Sequence, residues 1–197
     1  MDWREKMNAF LADYDHPAWG RAHARRVYAL ALELARIQGR DADPDILWAA
    51  AGMHDLGTFA PYREDGTDHV VTGARAAAEL LPGFGFPGEK IAAVVRVIET
   101  HMFYTPPAED WEAIVFREAD ILDFLGYIGI ARILSITGKH PWAPNPRGAV
   151  ERLQGFYRDL PLALRTDVAK LISKERLKEM DIFFAGLAAE SGQFTML

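Results

Sequence analysis

The sequence predicts an all-α protein folded as a single domain, and three observations carry that expectation. Apolar residues recur at intervals of three and four along most of the 197-residue chain. No stretch shows the strict alternation of a half-buried strand. Half of the residues are hydrophobic, with no tract depleted of them, and a chain of this length can bury a substantial core. Repeats, heptad seams and linkers are absent, so residues 1–197 read as one domain, with a core at about 18–125 and a helical C-terminal extension at about 126–190.

Trp3, Met7, Phe10 and Leu11 set a first helix over residues 3–13, expected to act as a lid or brace, and Asp15-His16-Pro17 breaks it. Over residues 18–38, Trp19, His23, Val27, Leu30, Leu34 and Ile37 share a face, which turns His23 inward, and Gly39 marks the stop. A single inward histidine is more often a hydrogen-bonded core residue than a ligand. The next helix starts near Pro44 and runs through Leu47, Ala50 and Ala51 to His54, which also points inward. Gly57 caps it, leaving His54 and Asp55 in a last turn where neighbouring side chains can converge on one ion. Alone this pair is uninformative, since six His and fifteen Asp give roughly half a His-Asp dipeptide by chance.

Pro61, Gly66 and several charges make residues 58–68 a loop beside that turn. His69 opens a further helix with Val70, Gly73, Ala74, Ala77 and Leu81, interrupted by the Pro- and Gly-rich residues 82–88. Over residues 89–103, Ile91, Val94, Val95 and Ile98 form a stripe that ends in an inward His101. Residues 109–125 place Ala113, Phe116, Asp120 and Phe124 on one face, and a carboxylate buried there needs a cation, either an arginine or a metal. Residues 127–137 read as a buried helix holding Arg132, and residues 139–146 as a Pro-rich loop with His140 and Trp142. Residues 147–160 and 165–190 read as amphipathic helices with Leu153, Phe156, Tyr157, Leu171, Leu177, Met180, Phe183 and Leu187 inward.

The net charge of -6 argues against a surface that coats nucleic-acid duplexes, while sixteen Arg against six Lys leave room for a local anion pocket. With no cysteine, a metal can be held only by imidazole nitrogen and carboxylate oxygen. The first residues carry charges of both signs without a following apolar core, and no apolar run approaches the ~18 residues of a membrane span, so a soluble, cytoplasmic protein without membrane contact is expected.

His23, His54, Asp55, His69, His101 and Asp120 thus form an ordered set. Within His23-Ala24-Arg25-Arg26-Val27, Ala50-Ala51-Gly52-Met53-His54-Asp55-Leu56-Gly57 and Ala119-Asp120-Ile121-Leu122-Asp123, this set resembles the HD-domain metal-dependent phosphohydrolase superfamily, whose His … His-Asp … Asp signature matches His23, His54, Asp55 and Asp120. Residues 97–103, residues 116–138 and Gly155-Phe156-Tyr157 are similar to small bacterial HD proteins with nucleotide pyrophosphohydrolase members. The resemblance implies a helical HD-domain bundle that hydrolyses a nucleotide or related small phosphate ester with metal-activated water. It implies a site for Mn, Fe, Co, Ni or Zn at His23, His54, Asp55 and Asp120, holding one ion or, where His69 and His101 add a second bridged by Asp55, two.

Many relatives carry Lys or an acidic residue shortly after the His-Asp pair, where this chain has Thr58-Phe59. Asp55, Glu64 and Asp68 are the catalytic candidates, and Arg26, Arg132 and Tyr62 the candidates for substrate contact, each set against a plain structural role. Two alternatives stay open: a mixed-valent diiron oxygenase on the same fold, and a metal-stabilised binding module without turnover. A small anionic substrate is the expected partner, and self-association into a homodimer is left open.

Overall fold

Polar side chains start most of the helices, each accepting first-turn amides that have no partner within the helix. In this structure, a computed structural model that describes residues 2–197, Asp2 and Glu5 form a reciprocal capping box on α1 (Trp3–Leu11). Asp15 accepts the Arg21 amide at 2.9 Å where α2 (Arg21–Ile37) begins. Asp43 accepts from Asp45 and Ile46 ahead of Pro44 in α3 (Pro44–Met53), and Lys90 bridges Asp43 and Asp45 at 2.8 and 2.9 Å. A 3-10 turn, Leu56–Thr58, leads on to α4 (His69–Phe84), which Asp68 caps and which ends at Gly85 with φ +87°. The chain continues through α5 (Gly88–Thr100) and α6 (Trp111–Asp123), then α7 (Gly126–Ser135), α8 (Pro146–Asp159) and α9 (Asp167–Glu190). Among the described residues these are nine α-helices and no strand, which is the all-α class. None of the helices is long and apolar enough to cross a membrane.

The residues group into two compact units, one ending at Asp120 and one running from Ile121 to Leu197. The division falls inside α6, a few residues ahead of the boundary at about 125 expected from the sequence. In the first unit Met7, Val27, Leu34, Leu47, Met53, Leu81, Ile98 and Phe116 are fully buried. Trp3 packs edge-on against Trp48 and Phe86, with ring centroids 5.3 and 4.8 Å away, and so fastens α1 to α3 and to the turn that follows α4. In the second unit Phe124, Trp142 and Phe156 form an aromatic cluster, and the buried Arg132 guanidinium lies 4.0 Å from the centre of the Phe124 ring.

Three expectations of burial fail for identifiable reasons. Ile37 is 48% exposed, because it is the last residue of α2 and the chain turns away at Gly39, where φ is +65°. Leu171 is 63% exposed, because the inward face of α9 is set by Ala169, Ser173 and Met180, and Leu171 lies two residues from both of the first two, on the opposite side. The helix at residues 127–137, expected to be buried, is amphipathic: Gly129, Ile130, Arg132 and Ile133 are inside, while Tyr127, Ile128 and Leu134 are exposed.

One close approach in the first unit locks the turn after His54 and Asp55 against α4. Gly57, in the 3-10 turn, rests on the first turn of α4, and a Cβ there would stand 2.3 Å from both the His69 carbonyl oxygen and Thr72 Oγ1. Replacing Gly57 with Ala must push the turn off α4, so we expect Gly57→Ala to destabilise the protein by about 1–3 kcal/mol. The denaturant midpoint measures it; an unshifted midpoint would show that the turn has room for a methyl group.

Candidate metal centre

Four histidines and two aspartates meet in the first unit, each delivered by an end or an inward face of a helix. His23 is in the first turn of α2, His54 follows the last residue of α3, and Asp55 precedes the 3-10 turn. His69 is the first residue of α4, His101 follows α5, and Asp120 is in α6. His23 Nε2 lies 3.0 Å from His54 Nε2, 3.2 Å from Asp120 Oδ1 and 3.5 Å from Asp55 Oδ2. His54 Nε2 is 3.1 Å from the same Asp55 oxygen. The other oxygen, Oδ1, faces His69 Nε2 at 3.7 Å. Asp55 thus presents one oxygen to His23 and His54 and the other to His69.

Backbone carbonyls orient two of the imidazoles. His54 Nδ1 donates to the Ala51 carbonyl at 2.9 Å, and His101 Nδ1 donates to the Ile98 carbonyl at 2.6 Å, three residues back in each case. A carbonyl only accepts, so Nδ1 carries the proton and Nε2 is turned toward the centre, as in histidines that ligate metals. His101 Nε2 is fully buried and has no hydrogen-bond partner among the described residues. A buried lone pair without a donor is costly in a finished core, and a cation satisfies it. Two overlapping groups have donor atoms close enough together to hold an ion: His23, His54 and Asp120, and His54, Asp55 and His101. All-nitrogen-and-oxygen donors of this kind suit a divalent transition metal, and the residues fit one.

The side toward Asp55 and His69 is the open one, with those side chains 14% and 20% exposed while His23 and Asp120 are buried. Asp68 stands there: its Oδ1 accepts from Val70 N at 3.1 Å and Tyr104 OH at 3.2 Å and holds His69 Nδ1 at 3.0 Å. Tyr14, Trp19 and Phe59 line a small cavity that also touches His54 and Asp55. Glu64 is in an exposed ion pair with Arg75 at 2.5 Å. Tyr62 packs among Phe10 and Tyr14, centroids 6.3 and 5.8 Å away. Arg26 is half-buried on α2 and already engaged with protein groups. Arg132, in the second unit, forms a buried ion pair with Asp123 at 3.1 Å. The roles of Tyr14 and Trp19 beside the centre, and of Tyr104 as a donor to Asp68, were not read from the sequence. The only signal for the orienting carbonyls was the position of each histidine one residue past a helix, where the carbonyl three residues back is in reach.

A family model described as the HD domain matches residues 20–125. Among solved structures, a predicted HD superfamily hydrolase from an uncultured Thermotogales bacterium is 26% identical, with a TM-score of 0.63 over 95% of this chain and 90% of its own. YpgQ of Bacillus subtilis, solved in complex with ADP, is 21% identical, with a TM-score of 0.70 over 95% and 97% of the two chains. An HD-superfamily hydrolase from Bacillus thuringiensis is 22% identical, with a TM-score of 0.64 over 96% and 98%. The likeness to the two Bacillus proteins is one of fold. No curated protein matches the sequence.

The crowded charges set the protonation of the metal-free centre. Burial works against a charged His54, but the charge and hydrogen bond of Asp55 and the charge of Asp120 outweigh it and push its pKa up to about 9. Burial and the neighbouring His54 charge push His101 down to about 4. Asp55 and Asp120 are held below the usual carboxylate range: burial opposes their charge, but the surrounding histidines outweigh it. His54 therefore holds a proton at neutral pH that a metal must displace, and metal affinity falls as the pH drops below about 9. We expect metal titration near neutral pH to release about one proton, read by calorimetry in buffers of different ionisation enthalpy; no release would contradict this assignment.

Proposed function

Since the chain belongs to the HD-domain superfamily, whose similar members include hydrolases, we propose that it is a metal-dependent phosphohydrolase acting on a nucleotide or a related small phosphate ester. The observation that carries this reading is a buried set of nitrogen and oxygen donors that opens on one side only, toward Asp55 and His69. His23, His54, Asp55 and Asp120 would hold the first ion, and His69 and His101 would help to hold a second. Such an ion lowers the pKa of bound water and neutralises charge that develops on a phosphoryl group.

The chain's own residues do the rest. His54 and His101 are fixed by the Ala51 and Ile98 carbonyls and cannot swing away when substrate enters. His69 is fixed in turn by Asp68, itself tied to Tyr104. Of the acid–base candidates we assign Asp68: its Oδ1 takes the three protein contacts and its Oδ2 has no protein hydrogen bond, so it can accept a proton at the open side. Glu64 is instead matched with Arg75 on the surface. Tyr14, Trp19 and Phe59 form an aromatic wall beside the centre, suited to an apolar or planar part of the substrate.

Changing His54 or Asp55 to Ala should remove bound metal and hydrolysis together, read by elemental analysis and a product-resolved panel of phosphate esters. Full activity in a metal-free variant would refute the proposal, and dioxygen uptake without phosphate release would assign an oxygenase instead. Asp68→Asn should keep its metal and lose about a hundredfold or more in kcat. Unchanged turnover would remove Asp68 from the chemistry.

A further inference from the structure

We propose that a cavity between α1, α2 and α3 binds the phosphate oxygens of a nucleoside polyphosphate that lie beyond the group held at the metal centre; this rests on the phosphohydrolase reading above. The cavity has a volume of about 340 Å³, within the range of small-ligand sites. It adjoins the smaller cavity at His54 and Asp55, with Leu11, Arg21, Ala24, Ala51 and Gly52 lining both. The shared lining makes the two cavities neighbours along α2 and α3.

The lining has the chemistry of an anion site. Arg21, Arg25 and Tyr28 follow one another along roughly 10 Å of α2, on a different face of the helix from the buried His23. Asn8 faces them from α1 and Trp48 from α3. No carboxylate lines the cavity, although the chain as a whole carries a net charge of -6. Arg21 is paired at 3.5 Å with Asp15, which lies outside the lining. Arg25 makes no ion pair with any described residue. None of the side chains of Asn8, Arg25, Tyr28 and Trp48 is hydrogen-bonded within the described residues, so none of these four lining donors is spent on a protein acceptor, and Asn8 and Arg25 are exposed. Ala24, Ala51 and Gly52 complete the lining, and at Gly52 a Cβ would meet Met7 and Leu11, so its lack of a side chain lets α1 pack there. Guanidinium, indole N–H, phenol and amide donors match an oxygen-rich anion better than a neutral ligand.

The test separates this site from the metal centre. The full-length protein is freed of metal, so that no ion is available for polyphosphate to chelate, and titrated calorimetrically with inorganic tripolyphosphate and with orthophosphate. The wild-type protein should take tripolyphosphate the more tightly. Arg25→Gln should weaken tripolyphosphate about tenfold. Arg36→Gln, which removes a charge from α2 outside the cavity, should leave it unchanged. In the metal-loaded protein, Arg25→Gln should raise KM for a nucleoside triphosphate more than for the monophosphate. The proposal is overturned if the two variants behave alike, or if Arg25→Gln affects both phosphate lengths equally. Arg25-dependent binding of tripolyphosphate by a protein that hydrolyses no phosphate ester would sustain the site and refute the hydrolase reading alone.

Discussion

The burial of two carboxylates among imidazoles at a single point is the constraint on which the rest of the first unit depends. A charge withdrawn from water costs several kcal/mol unless an opposite charge or a donor faces it at close range. His23 stands within 3.5 Å of both Asp55 and Asp120, and His54 within 3.1 Å of Asp55, which meets that requirement in part. The positions come from helix ends: α2 and α4 contribute from their first turns, and α3 and α5 from the residue just past their last. Met7, Leu34, Leu47, Met53 and Ile98 hold those ends at one place. The hydrophobic core is thus less a separate stabilising feature than the frame that allows like donors to be crowded together.

A second device holds the open side. Arg117 of α6 is buried and donates to the carbonyls of Thr100, Phe103 and Thr105, at 3.1, 2.9 and 2.8 Å. These acceptors bracket His101 and Tyr104. The same helix carries Asp120 three residues on, so a metal-ligand candidate, the end of α5 and the tyrosine that contacts Asp68 share one rigid reference. A single guanidinium, donating through two of its nitrogens, thus ties three carbonyls of this loop together.

Much of this was legible in the sequence, and the limits have physical causes. Period-3.6 patterning located the helices because their buried faces are continuous, and it turned His23, His54 and His101 inward correctly. It failed at Leu171, where two small residues define the inward face and a large apolar one does not. Patterning also cannot register a contact made by backbone, so the carbonyls behind His54 and His101 were invisible to it. Pairing across long loops is equally silent: nothing local to Glu64 announces Arg75, and nothing local to Asp68 announces Tyr104. Asp120 was legible because a carboxylate on an apolar stripe conflicts with its surroundings, and such conflicts mark places where something besides packing decided the residue.

The orienting contacts of His54 and His101 have one more consequence. Their acceptors belong to the peptide unit and not to any side chain, so Ala51 and Ile98 can be exchanged for other residues of suitable size without loss of the acceptor. A centre that relied on a carboxylate for this would be vulnerable to mutation at one further position for every histidine. For His54 and His101 the supporting contact is carried by helical geometry itself, whereas His69 still leans on the Asp68 carboxylate. The residues at 51 and 98 can therefore change while these two histidines stay aimed.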